Sequence, residues 1–156
     1  MTPLRLMLIE EHAAVRWALK TRLLSSASIK KVDAFADVPT ALKALAKANP
    51  NNQPDMILLG LDSSRTTTVR QKLEAVVRLA AKLTPIMVLV PYVDDLEREL
   101  LLRVGASRYC LKNINTPQLL EEIEQTVFQS NGPNGPNGKK TAVNATLSSQ
   151  LVPGTT

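Results

Sequence analysis

The sequence predicts an α/β fold in which a five-stranded parallel sheet lies between two layers of helices. Three observations predict it. Apolar runs at 4–9, 56–59 and 86–90 are nearly unbroken by polar alternation, as in strands covered on both faces. Each is followed by a longer stretch with apolar residues at helical spacing. The strand–helix alternation occurs five times, which selects parallel pairing with right-handed crossovers.

In chain order, Leu4–Ile9 is the first strand and ends at Glu10-Glu11-His12. The first helix, 13–24, carries Val15, Leu19 and Leu23 at i, i+4, i+8, with Ala18 beside them. Ile29–Phe35 alternates partly and holds charges, which suits a strand near an edge. Asp37 precedes a second helix that tolerates Pro39 in its first turn and turns Ala41, Leu42, Leu45 and Ala46 inward. Asn49-Pro50-Asn51-Asn52-Gln53-Pro54 ends it and leads into the central strand, which runs apolar to Leu59 and breaks at Gly60-Leu61-Asp62-Ser63-Ser64. A third helix, 69–82, places Leu73, Val76, Val77 and Ala80 on its apolar side. Ile86–Val90 is the fourth strand, and Asp94-Asp95 put negative charge at the start of a fourth helix. Gly105 follows as its C-terminal cap. Tyr109-Cys110-Leu111 is a short fifth strand ending at Lys112-Asn113. Thr116-Pro117 form an N-cap and first-position pair for a last helix with Leu119, Leu120, Ile123 and Val127 inward. The commonest solution for five such units is the flavodoxin-like strand order 2-1-3-4-5.

Composition sets the outer limits. With 156 residues, 44% of them hydrophobic, the chain suits one core, and 3% aromatics leave aliphatic side chains to fill it. Residues 1–129 form the expected domain. From 130 on, repeated Asn-Gly-Pro triplets, Lys139-Lys140 and a Ser/Thr-rich end read as a flexible linker or tail. The single cysteine, Cys110, allows no internal disulfide and suits a reducing compartment. No run approaches the roughly 20 apolar residues that span a bilayer, and the start lacks a secretory pattern, so cytoplasm is the expected location and no membrane contact is expected. The net charge of +5 comes from 19 scattered basic residues, without the basic–aromatic interleaving of a nucleic-acid platform.

The motifs at the strand ends line up with a family. Ile9-Glu10-Glu11-His12 with Val15-Arg16, and Val104-Gly105-Ala106-Ser107-Arg108-Tyr109-Cys110-Leu111-Lys112-Asn113, resemble the receiver domains of two-component response regulators (CheY-like) over about residues 4–128, closest to receivers that precede a LuxR-type helix-turn-helix. The resemblance implies a phosphoryl-accepting aspartate after the third strand, Mg²⁺-holding acids after the first, a hydroxyl after the fourth and a lysine after the fifth. Here those positions hold Gly60, the pair Glu10 and Glu11, Val90, and Lys112. Gly60 has no nucleophile, Val90 cannot hydrogen-bond an oxyanion, and glutamates fit the strict Mg²⁺ octahedron poorly. The expectation is a degenerate pocket with weak or absent Mg²⁺ binding, no cofactor and no catalytic residue, in which Lys112 pairs with one of the glutamates. Asp62 reads as a solvated loop acid rather than a substitute acceptor, and His12 as the first turn of the first helix rather than a metal ligand. Tyr109 resembles the family's aromatic switch.

These readings converge on a non-phosphorylatable pseudo-receiver that is not an enzyme and acts through protein contacts. The expected partner is another protein or a second copy. The expected face is that of the fourth helix, fifth strand and fifth helix, with Leu101, Leu102, Arg108 and Tyr109, and with Arg98 and Arg103 opposed to Glu121 and Glu124. The alternative is the receiver part of a DNA-binding LuxR-type regulator whose helix-turn-helix is absent from this chain. Nucleic acid enters only in that case.

Overall fold

The structure, a computed structural model, describes residues 2–62 and 67–131. Most of the expected tail lies outside the described residues. Five strands, β1 (Leu4–Ile9), β2 (Ile29–Phe35), β3 (Met56–Gly60), β4 (Ile86–Val90) and β5 (Arg108–Leu111), alternate with five helices, α1 (Ala13–Leu24), α2 (Val38–Lys47), α3 (Val69–Ala80), α4 (Asp95–Arg103) and α5 (Thr116–Asn131). All neighbouring strands pair in parallel, in the order β2-β1-β3-β4-β5, which is the predicted flavodoxin-like topology.

Strand alternation divides the core in two. Leu6, Leu8, Met56, Leu58, Met87 and Leu89 face α1 and α5, whose Leu19, Leu23, Leu119, Ile123 and Val127 cover them. Met7, Ile9, Ile57, Leu59, Val88 and Val90 face the opposite way, under Ala41, Leu45, Val76, Leu79 and Leu101 of α2, α3 and α4. This two-sided burial is why β1, β3 and β4 read as continuous apolar runs.

Several helix details depart from the sequence expectation. On α3 the buried stripe is Lys72, Val76 and Leu79, while Val77 is half exposed. The rotation brings Lys72 to an acid on α4, so a charge occupies a position the apolar count assigned to solvent. The same helix ends at Ala80, not at 82. On α2, Ala44 packs inward and Ala46 is exposed. The cap of α5 is Asn115, one residue earlier than expected: its Oδ1 accepts the Gln118 N–H at 2.9 Å. Thr116 and Pro117 then open the first turn, where proline's missing N–H leaves no bond unmade. The other caps stand as read: Asp37 accepts from the Thr40 N–H at 2.8 Å, and Asp94 from the Glu97 N–H at 3.0 Å.

Gly105 reverses the chain between α4 and β5 at φ +129°, with Ala106 N–H donating to Leu101 O at 3.0 Å. A Cβ there would meet the Ala80 Cβ at 2.7 Å, and an L-residue would be strained by the φ angle alone. Gly105→Ala is therefore expected to destabilise the domain by about 1–3 kcal/mol, measured by urea unfolding.

Candidate functional site

The candidate site lies at the C-terminal edge of the sheet, where loops following β1, β3 and β5 converge. Glu10 continues β1 by one rung, its N–H donating to Phe35 O at 2.9 Å. Alternation from Leu6 and Leu8 aims its side chain toward the α1/α5 side, and Gly60 follows Met56 and Leu58 onto that same side. Lys112 similarly continues β5, its N–H donating to Val90 O at 2.8 Å.

Glu10 is 1% exposed, and the Lys112 ammonium stands 2.7 Å from its Oε1. The contact is an ion pair, and Oε1 has no hydrogen-bond donor besides it. The other oxygen, Oε2, accepts the His12 N–H at 3.0 Å. Lys112 reaches from β5 toward the end of β1 across the width of β4 and β3, and this is possible because Gly60 presents no side chain. A Cβ built on Gly60 would overlap Glu10 Oε1 and crowd Ile9 O at 3.3 Å. The extra methylene of glutamate, a defect for metal binding, here supplies the reach. The expected lysine–glutamate pair is present, and its partner is Glu10.

The remaining positions divide. Glu11 is exposed and does not join the pair, because the next residue along an extended chain points the opposite way. Val90 is 2% exposed and belongs to the core on the α2/α3/α4 side. His12 is the N-cap residue of α1 but makes no side-chain cap bond. Its Nε2 instead lies 2.5 Å from Asp62 Oδ2, so Asp62 is not the lone solvated acid expected of it. The Asp62 hydrogen bond and charge raise the His12 pKa above 6.5. The pair links the β1–α1 loop to the segment following β3.

Sequence reasoning missed the two arginines on α1 that hold these loops. Arg16 Nη1 donates to the carbonyls of Glu10 at 2.8 Å and Glu11 at 3.3 Å. Arg22 donates to Ile114 O at 2.5 Å, Lys112 O at 3.3 Å and Thr116 Oγ1 at 3.2 Å, clamping the β5–α5 loop that carries Lys112. In the sequence Arg16 stands out only as part of the motif after the first strand and Arg22 not at all, because only the loops' three-dimensional course shows their acceptors.

A second polar network stands behind the site. Lys72 Nζ is 2.6 Å from Glu97 Oε1, both side chains about 10% exposed, and Tyr109 Oη donates to Glu97 Oε2 at 2.6 Å. Tyr109 Oη also accepts the Asp94 N–H at 3.3 Å. Burial, and then the hydrogen bond to Glu97, push the phenol pKa up, so Tyr109 stays a donor. The aromatic read as a switch is thus tied to α4 at its hydroxyl. The expected docking face is also altered: Leu101 is in the core, Arg103 pairs with Glu99 at 2.6 Å, and Arg108 donates to Thr126 Oγ1 at 3.0 Å.

No family model matches the sequence, and no curated protein matches it. Solved structures match the fold. The chain is similar to a two-component response regulator of the LuxR family from Aurantimonas sp. (18% identity, 81% of this chain and 86% of that one, TM-score 0.65). It is similar also to the receiver domain of the response regulator NarL from Mycobacterium tuberculosis (15%, 81% and 98%, TM-score 0.63). A third likeness is to the phosphorylated cyanobacterial phytochrome response regulator RcpA (19%, 81% and 93%, TM-score 0.60). The fold is therefore the receiver fold of two-component response regulators.

Lys112→Ala is expected to destabilise the protein by about 3–5 kcal/mol by leaving a buried carboxylate without its counter-charge. Gly60→Ala attacks the same pair from the other side, so in urea unfolding the double variant should lose less than the sum of the two singles. For His12, the raised folded-state pKa means that the pair's contribution is complete below pH 6.5 and is lost as pH rises through that raised value. Proton NMR should place the His12 midpoint above 6.5 in the native protein and bring it back toward 6.5 in Asp62→Asn.

Proposed function

We propose that this chain is a receiver-type signalling module that works without phosphorylation and passes its signal through protein contacts. The observation that carries the proposal is the Glu10–Lys112 pair at 2.7 Å over the bare backbone of Gly60. In a phosphoryl-accepting receiver a carboxylate at the Gly60 position attacks phosphorus, and a lysine answers the charge on the phosphoryl oxygens. Here an internal carboxylate already answers the lysine, and it does so in space that an acceptor side chain would need. Val90 offers no hydroxyl to the missing group.

The residues present do not fit Mg²⁺. The one buried carboxylate has an ammonium beside it, Glu11 is exposed, and Gly60 supplies no oxygen from a side chain. Among the described residues, no three His, Cys, Asp or Glu side chains gather as a metal site. On this reading the module is a binding protein. Tyr92, Val93 and Leu96, all more than half exposed beside the tied Tyr109, give the α4 side an apolar surface suited to a protein partner. Among the described residues, no helix is long and apolar enough to cross a membrane.

The test is incubation with acetyl phosphate and Mg²⁺, and separately with beryllofluoride. Intact-mass spectrometry should show no phosphoryl increment, and amide NMR signals from Leu59 to Leu61 should not move. A stable adduct on any carboxylate at this edge of the sheet overturns the proposal.

A further inference from the structure

A separate cleft opens on the other side of the same sheet edge. Its volume is about 430 Å³, within the range of small-molecule sites. Ile9, Leu59 and Leu61 form its apolar floor, with Val38 of α2 and Ala75 of α3 as walls. The floor residues are odd-numbered ones of β1 and β3 and, just past β3, Leu61; they face α2 and α3, whereas Glu10 faces α1 and α5. The cleft therefore does not share the volume filled by the Glu10–Lys112 pair. It lies at the carboxyl ends of β1 and β3, where the chain turns toward β2 on one side and β4 on the other. In open α/β sheets this topological switch point is where ligands bind.

The charges around the cleft select the ligand. Lys72 lines it, but its ammonium is held 2.6 Å from Glu97 and is not available to an anion. Gln71 also lines it, with its side-chain oxygen accepting the Thr68 N–H at 2.8 Å. The other acidic side chains lining it are Glu11 and Asp37. Asp37 caps α2 through Oδ1, which accepts the Thr40 N–H, and is exposed at the helix start. Glu11, the acid that the pair left out, is exposed and makes no ion pair within the described residues.

We propose that this cleft is a binding site for a small organic cation: a flat or compact apolar body on the Ile9–Leu59–Leu61 floor, with an ammonium, guanidinium or amidine group at Glu11 and Asp37. The site deepens the reading of a phosphorylation-independent receiver, and rests on it only for the consequence that a non-covalent ligand takes over the signalling role of the phosphoryl group. Through Lys72, Glu97 and Tyr109 the α3 wall of the cleft is joined by direct contacts to the start of α4.

The probe is benzamidine, titrated into the full chain and followed by amide NMR, with neutral benzamide and anionic benzoate as controls. Benzamidine should shift the amides of Ile9, Leu59 to Leu61 and Gln71 to Ala75 saturably. Benzamide and benzoate should bind at least about tenfold more weakly. Glu11→Gln with Asp37→Asn should weaken benzamidine by about tenfold or more while leaving the fold intact, because asparagine keeps the α2 cap. Equal binding of benzamide, unchanged affinity in the double variant, or no saturable shift at the cleft overturns the inference. Because the readout is cation binding and not phosphoryl transfer, a phosphoryl adduct would overturn the proposed function without bearing on this site. Failure of benzamidine would overturn this site alone.

Discussion

The ion pair between Glu10 and Lys112 is the constraint to which the rest of the sheet edge conforms. A buried carboxylate is costly unless a counter-charge and hydrogen-bond donors surround it. Here Lys112 supplies the charge, the His12 N–H supplies a donor, and Gly60 supplies the room. The two α1 arginines hold the loops that carry the two partners. Each of these residues looks unremarkable alone, and each has its identity explained by the pair.

Closing the pocket with residues of the chain changes the character of the scaffold. A receiver that binds a metal and a phosphoryl group has a charge-deficient state and a charge-satisfied state, and the difference drives its switching. In this structure an internal lysine–glutamate pair occupies the corresponding place. The His12–Asp62 contact adds a second tie between the loop after β1 and the segment after β3. Behind them, Glu97 accepts from both Lys72 and Tyr109, so the aromatic is held by a buried acid and not by a group that comes and goes. The same buried acid joins α3, one wall of the cleft, to α4, which begins at the exposed Tyr92–Leu96 surface.

The legibility of the fold and that of the site differ for a physical reason. Strands buried on both faces must be apolar throughout, so β1, β3 and β4 are visible as composition, and helix stripes and caps follow from local geometry. Errors arose where a side chain was placed by a distant partner. Lys72 sits inward on α3 because Glu97 waits on α4. Leu101 sits in the core and not on the surface, and Asn115, through a local bond to the Gln118 N–H, caps α5 in place of Thr116. The positions Glu10, Gly60, Val90 and Lys112 were singled out through the resemblance at the strand ends. The partner of Lys112 was narrowed to two glutamates, and Arg16, Arg22 and the Glu97 network were not legible.

By itself, the sequence determined the alternation of strands and helices and pointed to the strand order, because these depend on residue types and local periodicity; that residues 60 and 90 hold no carboxylate and no hydroxyl gained meaning only through the family resemblance. Only the tertiary structure decided that Glu10 and not Glu11 meets Lys112, that Asp62 meets His12, and that a cleft remains on the far side of the edge. Those outcomes depend on which face a side chain leaves and on how far an unbranched chain reaches across neighbouring strands, which are distances in space between residues 50 and 102 apart along the chain.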